Sequence, residues 1–366
     1  MSENQSLRVA VTGGGYWGSK HVRTFHSLDS VDSVVLVEPR QERVAELQHV
    51  YPGMVAVPDL DSALDLVDAV VVATPPSTHA PLALRALEAG KHVMVEKPFA
   101  TRLRDALAMK AAAEQRGLVL MVGHTFEYHA AVWRLREMVD KAELGDLYYI
   151  DTARLNLGLY QRDVDVILDL APHDISILNY VLRSQPVAVE CWASRHAHQH
   201  LEDIAYLRLF YDRPNLLANV HVSWLDPCKV RRMTMVGSSK MAVFDDLATE
   251  ERIKVHNKGV VVPDDSDLTM PPMSYRYGEV VSPYLAFNEP LAIEDEHFVD
   301  CVLTGMTPLT GADNGIAVVE VLEAAERSKA QHRVVRLDEM RESTPAPAWV
   351  PAQSVQHDLV EARESL

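Results

Sequence analysis

Lys91-His92-Val93-Met94-Val95-Glu96-Lys97-Pro98-Phe99-Ala100 is the stretch from which the fold is read. Val93–Val95 is a short apolar core suited to a buried strand. That strand must end by Pro98, which has no N–H to give to a sheet ladder. Pro98 also biases Lys97 away from helical geometry. The stretch therefore predicts a lysine held just past the carboxyl end of a strand, the edge at which ligands collect in open α/β sheets.

Outward from this stretch, strands and helical segments alternate. Ala69–Ala73 is an apolar run suited to a sheet covered on both faces, and it ends in the turn Thr74-Pro75-Pro76-Ser77-Thr78-His79 ahead of a helix over Ala80–Ala89. Val34–Val37 and Val55–Val57 read as further strands, Arg40–Val50 as a helix and Ser62–Leu66 as a helical turn. Beyond Ala100 a helix is predicted over Leu103–Arg116 and a last strand over Val119–Val122. Repeated βαβ order predicts a doubly wound, mostly parallel sheet of Rossmann type.

The first strand, Leu7–Val11, runs into Gly13-Gly14-Gly15-Tyr16-Trp17-Gly18, with a helix expected over Ser19–His26. Gly13, Gly15 and Gly18 form G-x-G-x-x-G: the first permits the tight turn, the second lets a pyrophosphate approach the backbone, and the third packs helix on strand. The helix N-terminus then offers free N–H groups to the phosphates. Glu38 closes the next strand and is expected to accept hydrogen bonds from the adenosine ribose hydroxyls. A carboxylate there repels a 2′-phosphate and favours NAD. Arg40 and Arg43 follow closely and offset that repulsion, which leaves NADP open. Tyr16 and Trp17, beside the turn, are read as either packing or cofactor cover.

With 366 residues the chain has room for about two domains. It is 48% hydrophobic and 24% charged, an ordinary globular balance. The formal charge, 35 basic against 52 acidic residues, is −17. This argues against a general nucleic-acid or anionic-membrane binder, whose affinity rests on phosphate neutralisation, and leaves room for one phosphorylated ligand in a locally basic pocket. Cys191, Cys228 and Cys301 are far apart and show neither zinc spacing nor a disulfide framework, which fits a reducing cytoplasm. The polar opening Met1–Ser6 is not expected to be a signal peptide. No apolar run is long enough to span a bilayer as a helix.

Three features together, the glycine turn, Ala73-Thr74-Pro75-Pro76 with His79, and Glu96-Lys97-Pro98, resemble the Gfo/Idh/MocA oxidoreductases. That family includes glucose-fructose oxidoreductase, inositol dehydrogenase and nucleotide-sugar 3-dehydrogenases. The resemblance implies an NAD(P)-binding Rossmann domain over 1–125, with Thr74, Pro75, His79, Glu96 and Lys97 joining Gly13, Gly15, Tyr16, Trp17, Gly18 and Glu38 at the cofactor. It implies a substrate-binding and oligomerisation domain over 126–342, built on a large, mainly antiparallel sheet, with the helical stretches Glu294–Leu303 and Ala312–Ala330 packing back on the Rossmann domain. A Pro-containing tail covers 343–366. Strands are read over Tyr148–Leu157, Pro186–Ala193, Asp203–Tyr211, Leu216–Trp224, Arg231–Val236 and Arg252–Val255. A sheet of that extent, with apolar alternation on an open face, suggests a homodimer or homotetramer.

Asp169-Leu170-Ala171-Pro172-His173-Asp174-Ile175-Ser176 resembles the family's D-x-G-x-H-x-x-D, with Ala171 in place of the glycine and Ser176 in place of the last acid. Asp169 and His173 are four apart and share a helix face. Pro172 is tolerated in a first turn, so the helix is expected to start near Asp169 to Ala171. The resemblance implies hydride transfer between nicotinamide and a secondary alcohol or ketone of a sugar, amino sugar, cyclitol or nucleotide sugar, with the C3 hydroxyl as the preferred position. His173, with an ordinary pKa near ~6.5, suits the proton-accepting base. Asp169 would orient it, and the Lys97 ammonium would stabilise charge on the reacting oxygen. Lys97 and His173 can exchange roles, because burial depresses a lysine pKa.

His124, Glu127 and Tyr128, then Asn156, Tyr160 and Arg162, are further candidates for binding the substrate, against structural or solvated-loop roles. His196, His198 and His200 alternate, but their spacing reads as a polar strand end rather than a metal site. A sugar-like small molecule is the expected partner, with no nucleic acid or membrane. The rival reading is a cofactor-binding regulator on the same fold. The joint presence of Lys97, Asp169 and His173 favours the enzyme.

Overall fold

The structure is a computed structural model that describes residues 6–343 except 159, 162, 214, 262–272 and 287. Its described residues form two compact units, one of residues up to His124 with Leu291–Val319, the other of Thr125–Pro290 with Glu320–Ser343.

In the first unit the expected βαβ order is realised as β1 (Leu7–Thr12), α1 (Tyr16–His26), β2 (Val31–Val37), α2 (Gln41–Val50), β3 (Val55–Val57), α3 (Asp61–Leu64), β4 (Ala69–Val72), α4 (His79–Glu88), β5 (His92–Glu96), α5 (Leu103–Arg116) and β6 (Leu120–Gly123). The six strands make one parallel sheet in the order β3-β2-β1-β4-β5-β6. Strands β4 to β6 are apolar along almost their whole length because both faces are covered, and β4 is buried at every position. Two differences from the sequence reading are informative. Helix α1 begins at Tyr16, not at Ser19. Gly18 looks like a breaker in the sequence, yet it lies inside the helix, where only a hydrogen fits against the preceding turn. Strand β5 also takes in Glu96, so the ladder ends between Glu96 and Lys97.

A late segment completes this unit. The Val122 N–H donates to the Thr310 carbonyl at 2.8 Å, and Met121 pairs with Gly311. The chain here runs through α8 (Pro290–Thr304) into α9 (Ala312–Gln331).

The second unit holds α6 (Ala130–Asp140), β7 (Leu147–Leu157), α7 (Val166–Leu182), β8 (Ala188–Ser194), β9 (Ile204–Phe210), β10 (Leu217–Ser223), β11 (Leu225–Gly237), β12 (Met241–Asp245), β13 (Ile253–Val261), β14 (Ser274–Val281), β15 (Val335–Arg336) and α10 (Asp338–Ser343). Nine strands form one sheet in the order β14-β13-β12-β11-β7-β10-β9-β8-β15. Only β7 and β10 pair in parallel; every other neighbour is antiparallel. The regular burial alternation of β9 and β10 marks a half-covered sheet, with Ala205, Leu207, Leu209, Ala218, Val220 and Val222 inward. On the other side Trp192, Tyr206 and Tyr149 stand exposed. Among the described residues no helix is long and apolar enough to cross a membrane.

Candidate active site

The cofactor side begins at the carboxyl end of β1. Gly13 has φ +96, and its N–H donates to the Val37 carbonyl at 2.8 Å. A Cβ on Gly13 would lie 2.6 Å from the Ala73 oxygen, so the turn is squeezed between β2 and the end of β4. Gly15 caps α1 without a side-chain bond, and the first turn carries no acidic residue. The N-terminal N–H groups of this helix are thus presented without competition from a carboxylate, as an anion requires. A Cβ on Gly15 would meet nothing within 4 Å. Nothing in the protein's own packing calls for glycine at this position.

Glu38, at the end of β2, is 2% exposed. It takes the Gly14 N–H at 2.7 Å, the Arg40 N–H at 3.0 Å and the Arg40 guanidinium at 2.9 and 3.0 Å. Burial pushes its pKa up, but the bonds from Arg40 and Gly14 outweigh burial and hold it below the usual carboxylate range. The carboxylate that closes this side of the glycine turn is therefore held as an anion. Arg43 donates to the Gly14 carbonyl at 2.7 Å and braces the same turn. Tyr16 is 71% exposed, edge-on to Trp17 at 5.4 Å, with the Lys20 ammonium over its ring at 4.8 Å.

His79 joins the other two loops at this edge of the sheet. Its Nδ1 lies 2.8 Å from the Pro98 carbonyl and its Nε2 2.9 Å from the Thr74 carbonyl. Pro75 precedes the short 3-10 turn that leads into α4. Glu96 is buried, and its Oε2 accepts the Lys97 N–H at 3.0 Å. Lys97 itself is half-buried, and the Lys97–Pro98 peptide is cis. His124, at the end of β6, is buried against Asn314, 2.5 Å from Nδ1 to Oδ1.

In the second unit α7 carries Asp169 and His173. The sequence expectation for its start is corrected: the helix begins at Val166, and Asp165 caps it by accepting from Ile167 and Leu168, each at 3.0 Å. Pro172 consequently lies inside the helix and withholds the N–H that would reach the Leu168 carbonyl. A strong cap and a run of buried apolar residues offset the missing bond.

Asp169 and His173 are half-buried on one face. The Trp224 indole N–H donates to Asp169 Oδ2 at 3.1 Å. The Phe126 ring meets the His173 ring edge-on at 5.2 Å. Arg154 lies over Phe126 at 4.7 Å and forms a bidentate pair with Asp174, at 3.0 and 3.2 Å. Both members of that pair are buried, so removing either would strand a charge at a cost of about 3–5 kcal/mol. Ser176, which stands where the family pattern has an acid, turns its hydroxyl back to the His173 carbonyl at 3.1 Å.

Tyr160 extends this cluster, with its ring 5.0 Å from Trp224 and its hydroxyl 3.4 Å from Asp203. Asn156 closes β7. Glu127 and Tyr128 are buried, and the Glu127 carbonyl accepts the Trp133 indole N–H at 2.7 Å. Arg162 lies outside the described residues. His196 Nδ1 is 2.8 Å from Asp203, while His198 accepts the N–H groups of His200 and Leu201. Sequence reasoning missed Trp224 and the Arg154–Asp174 pair. Arg154 comes from β7 and Trp224 from the bend between β10 and β11, and no spacing rule connects either of them to α7.

Comparison with known proteins agrees with this geometry. Residues 7–124 match the family model described as oxidoreductase family, NAD-binding Rossmann fold. Residues 132–243 match the GFO/IDH/MocA C-terminal domain. A UDP-N-acetylglucosamine 3-dehydrogenase of Acidithiobacillus ferrooxidans is 29% identical over 320 residues, 87% of this chain and 95% of that protein. An inositol 2-dehydrogenase of Rhodococcus erythropolis is 31% identical over 196 residues, 52% of this chain and 57% of that one. Among solved structures, GenD2 from gentamicin A biosynthesis in complex with NAD superimposes with a TM-score of 0.77 at 27% identity, covering 91% of this chain and 96% of GenD2.

Proposed function

The chain belongs to the Gfo/Idh/MocA oxidoreductases, with an NAD-binding Rossmann domain, and from that premise we propose that it transfers a hydride between nicotinamide and a secondary alcohol or ketone of a sugar, amino sugar, cyclitol or nucleotide sugar. The observation that carries this reading is the shared edge of the parallel sheet. The glycine turn, Glu38 and Lys97 all follow the carboxyl ends of strands, after β1, β2 and β5, in a sheet whose order reverses between β1 and β4. Ligands bind at such reversals.

A bound nicotinamide supplies the hydride acceptor or donor. The chain's own groups supply the rest. Gly15 leaves room for pyrophosphate, the α1 N-terminus faces its charge, and Glu38 takes the ribose hydroxyls, which favours NAD over NADP. In alcohol oxidation His173 accepts the hydroxyl proton at a ring nitrogen as the C–H bond gives up its hydride. Asp169, held by Trp224, orients that imidazole and favours its protonated form. The Lys97 ammonium donates to the reacting oxygen and stabilises its developing charge. Reduction runs through the same groups in reverse. The C3 hydroxyl of a hexose-type ring is the proposed position, supported by the 3-dehydrogenase named above.

Exposed Tyr149, Trp192 and Tyr206 on the open face of the nine-stranded sheet support assembly as a homodimer or homotetramer, which light scattering at micromolar concentration tests; a monomer would remove that part. The cytoplasm is the proposed compartment, in keeping with three free cysteines. The function is tested by offering inositols, aminoglycosides and nucleotide sugars with NAD and following reduced nicotinamide by absorbance. Turnover on one class is expected. Cofactor binding with no turnover on any would favour a regulator on this fold.

A further inference from the structure

Three residues past Gly18, on α1, stands a buried histidine that the chemistry above does not use. His21 is 0% exposed. Its Nε2 lies 3.1 Å from Glu96 Oε1 and its Nδ1 2.9 Å from Asp295 Oδ1, where α8 returns to the first unit. An ionised carboxylate only accepts, so each contact is satisfied when the facing ring nitrogen carries the proton. Both nitrogens do so in the imidazolium. Burial works against that charge, but Asp295 and Glu96 outweigh burial and raise the His21 pKa well above its ordinary value. Glu96 is held low in spite of its own burial by His21 and by Lys97. Burial raises Asp295, the second anion on a single cation.

Glu96 has two jobs. One oxygen meets His21; the other accepts the main-chain N–H of Lys97 at 3.0 Å. On the far side of Lys97, the Pro98 carbonyl is tied to His79. The backbone from which the lysine side chain leaves is therefore fixed by side chains on both sides.

We infer that His21 is a positioning residue for Lys97, acting through Glu96, whose carboxylate it holds against the Lys97 N–H. Being fully buried, His21 touches neither cofactor nor substrate. Without its partner, the Glu96 carboxylate becomes a buried anion with Lys97 as the nearest cation, and it draws the amine away from the reacting oxygen. The inference rests on the reading of Lys97 as the group that stabilises charge on the substrate.

The experiment compares H21F, H21Q and K97M with the wild type on the panel substrate that turns over fastest, with NADH affinity and Tm measured alongside. H21F is expected to lower kcat roughly 10–100-fold, the size of loss that follows removal of the outer partner of a metal ligand, with NADH affinity unchanged. H21Q places an amide N–H near the position of Nε2, still reaching Glu96, and is expected to recover most of the lost kcat. A purely structural His21 would lower Tm in both variants and leave kcat of the folded enzyme alone. Folded H21F with wild-type kcat, or H21Q as impaired as H21F, overturns the inference. If H21F does not fold, E96A decides: it cuts the link to Lys97 while leaving His21 paired with Asp295, and an unchanged kcat overturns the inference equally. K97M with wild-type kcat would instead remove the reading of Lys97 on which the inference stands.

Discussion

Gly18 lies so close to Gly13 that a Cβ on Gly18 would be 1.7 Å from the Gly13 carbonyl oxygen. The same construction at Gly15 meets nothing within 4 Å. The protein's own packing thus demands a glycine at the first position and not at the second, where we propose that a bound pyrophosphate demands it. G18A is expected to lower Tm, because backbone must move to admit the methyl group. G15A is expected to fold with a near-native Tm and to bind NADH at least about tenfold more weakly, a loss of about 1.4 kcal/mol. Thermal melts and NADH titration of the two variants check this; a G15A protein with native NADH affinity contradicts the cradle.

The proposed preference for NAD rests on Glu38. The wild type is expected to favour NADH over NADPH in kcat/KM. A hydrogen bond to a charged group contributes about 1.5–3 kcal/mol, so E38A is expected to lose roughly ten- to hundredfold in kcat/KM with NADH while NADPH gains or holds. Because Arg40 and Gly14 keep Glu38 ionised despite its burial, the preference should persist at mildly acidic pH. A wild-type preference for NADPH would overturn the assignment.

Asp165 gives a pH test of the helix that carries Asp169 and His173. Burial, with Glu326 nearby, raises its pKa to about 6. The folded form therefore holds the Asp165 proton more tightly than the unfolded chain does. Ionising it costs stability, a cost absent below the unfolded value and complete once pH has risen through about 6. One ammonium, Lys329, faces three carboxylates there: Asp165 at 3.6 Å, Glu202 at 3.3 Å and Glu326 at 2.8 Å. D165N keeps an acceptor for the first-turn N–H groups and removes the costly charge. Its stability relative to wild type is expected to improve by roughly 1–3 kcal/mol between about pH 5 and pH 7.5. Denaturant titrations at both pH values check it; a difference that does not change with pH contradicts the account.

Much of the cofactor unit was legible in the sequence, because its signals are local. Leu103–Arg116 is helical over the predicted range, and each strand of the parallel sheet is within a few residues of its expected place. The positions of Gly13, Glu38 and Lys97 just past strand ends could be read because turn, strand end and proline lie side by side in the chain. The nine-stranded sheet was read less fully. Strand β14 shows almost no buried position, so it carries no alternating pattern for the sequence to display. Strand β12 has only five residues. The partners of the site residues were least legible. Asp295 reaches His21 across 274 positions, and Trp224 reaches Asp169 across 55. Such pairs are set by topology. The start of α7 was misplaced for a different reason: Pro172 outweighed Asp165 in the sequence, whereas in the structure the cap decides.

On the proposed function, Lys97 stabilises charge on the substrate oxygen of a working dehydrogenase. Single-turnover reduction of NAD by wild type and K97M, on the panel compound with the highest turnover, tests it most directly. K97M is expected to lose roughly 10²–10³-fold in the rate of the chemical step, the effect of removing one donor to a developing oxyanion, with NADH affinity and Tm retained. A folded K97M protein that reduces NAD at the wild-type rate would contradict it.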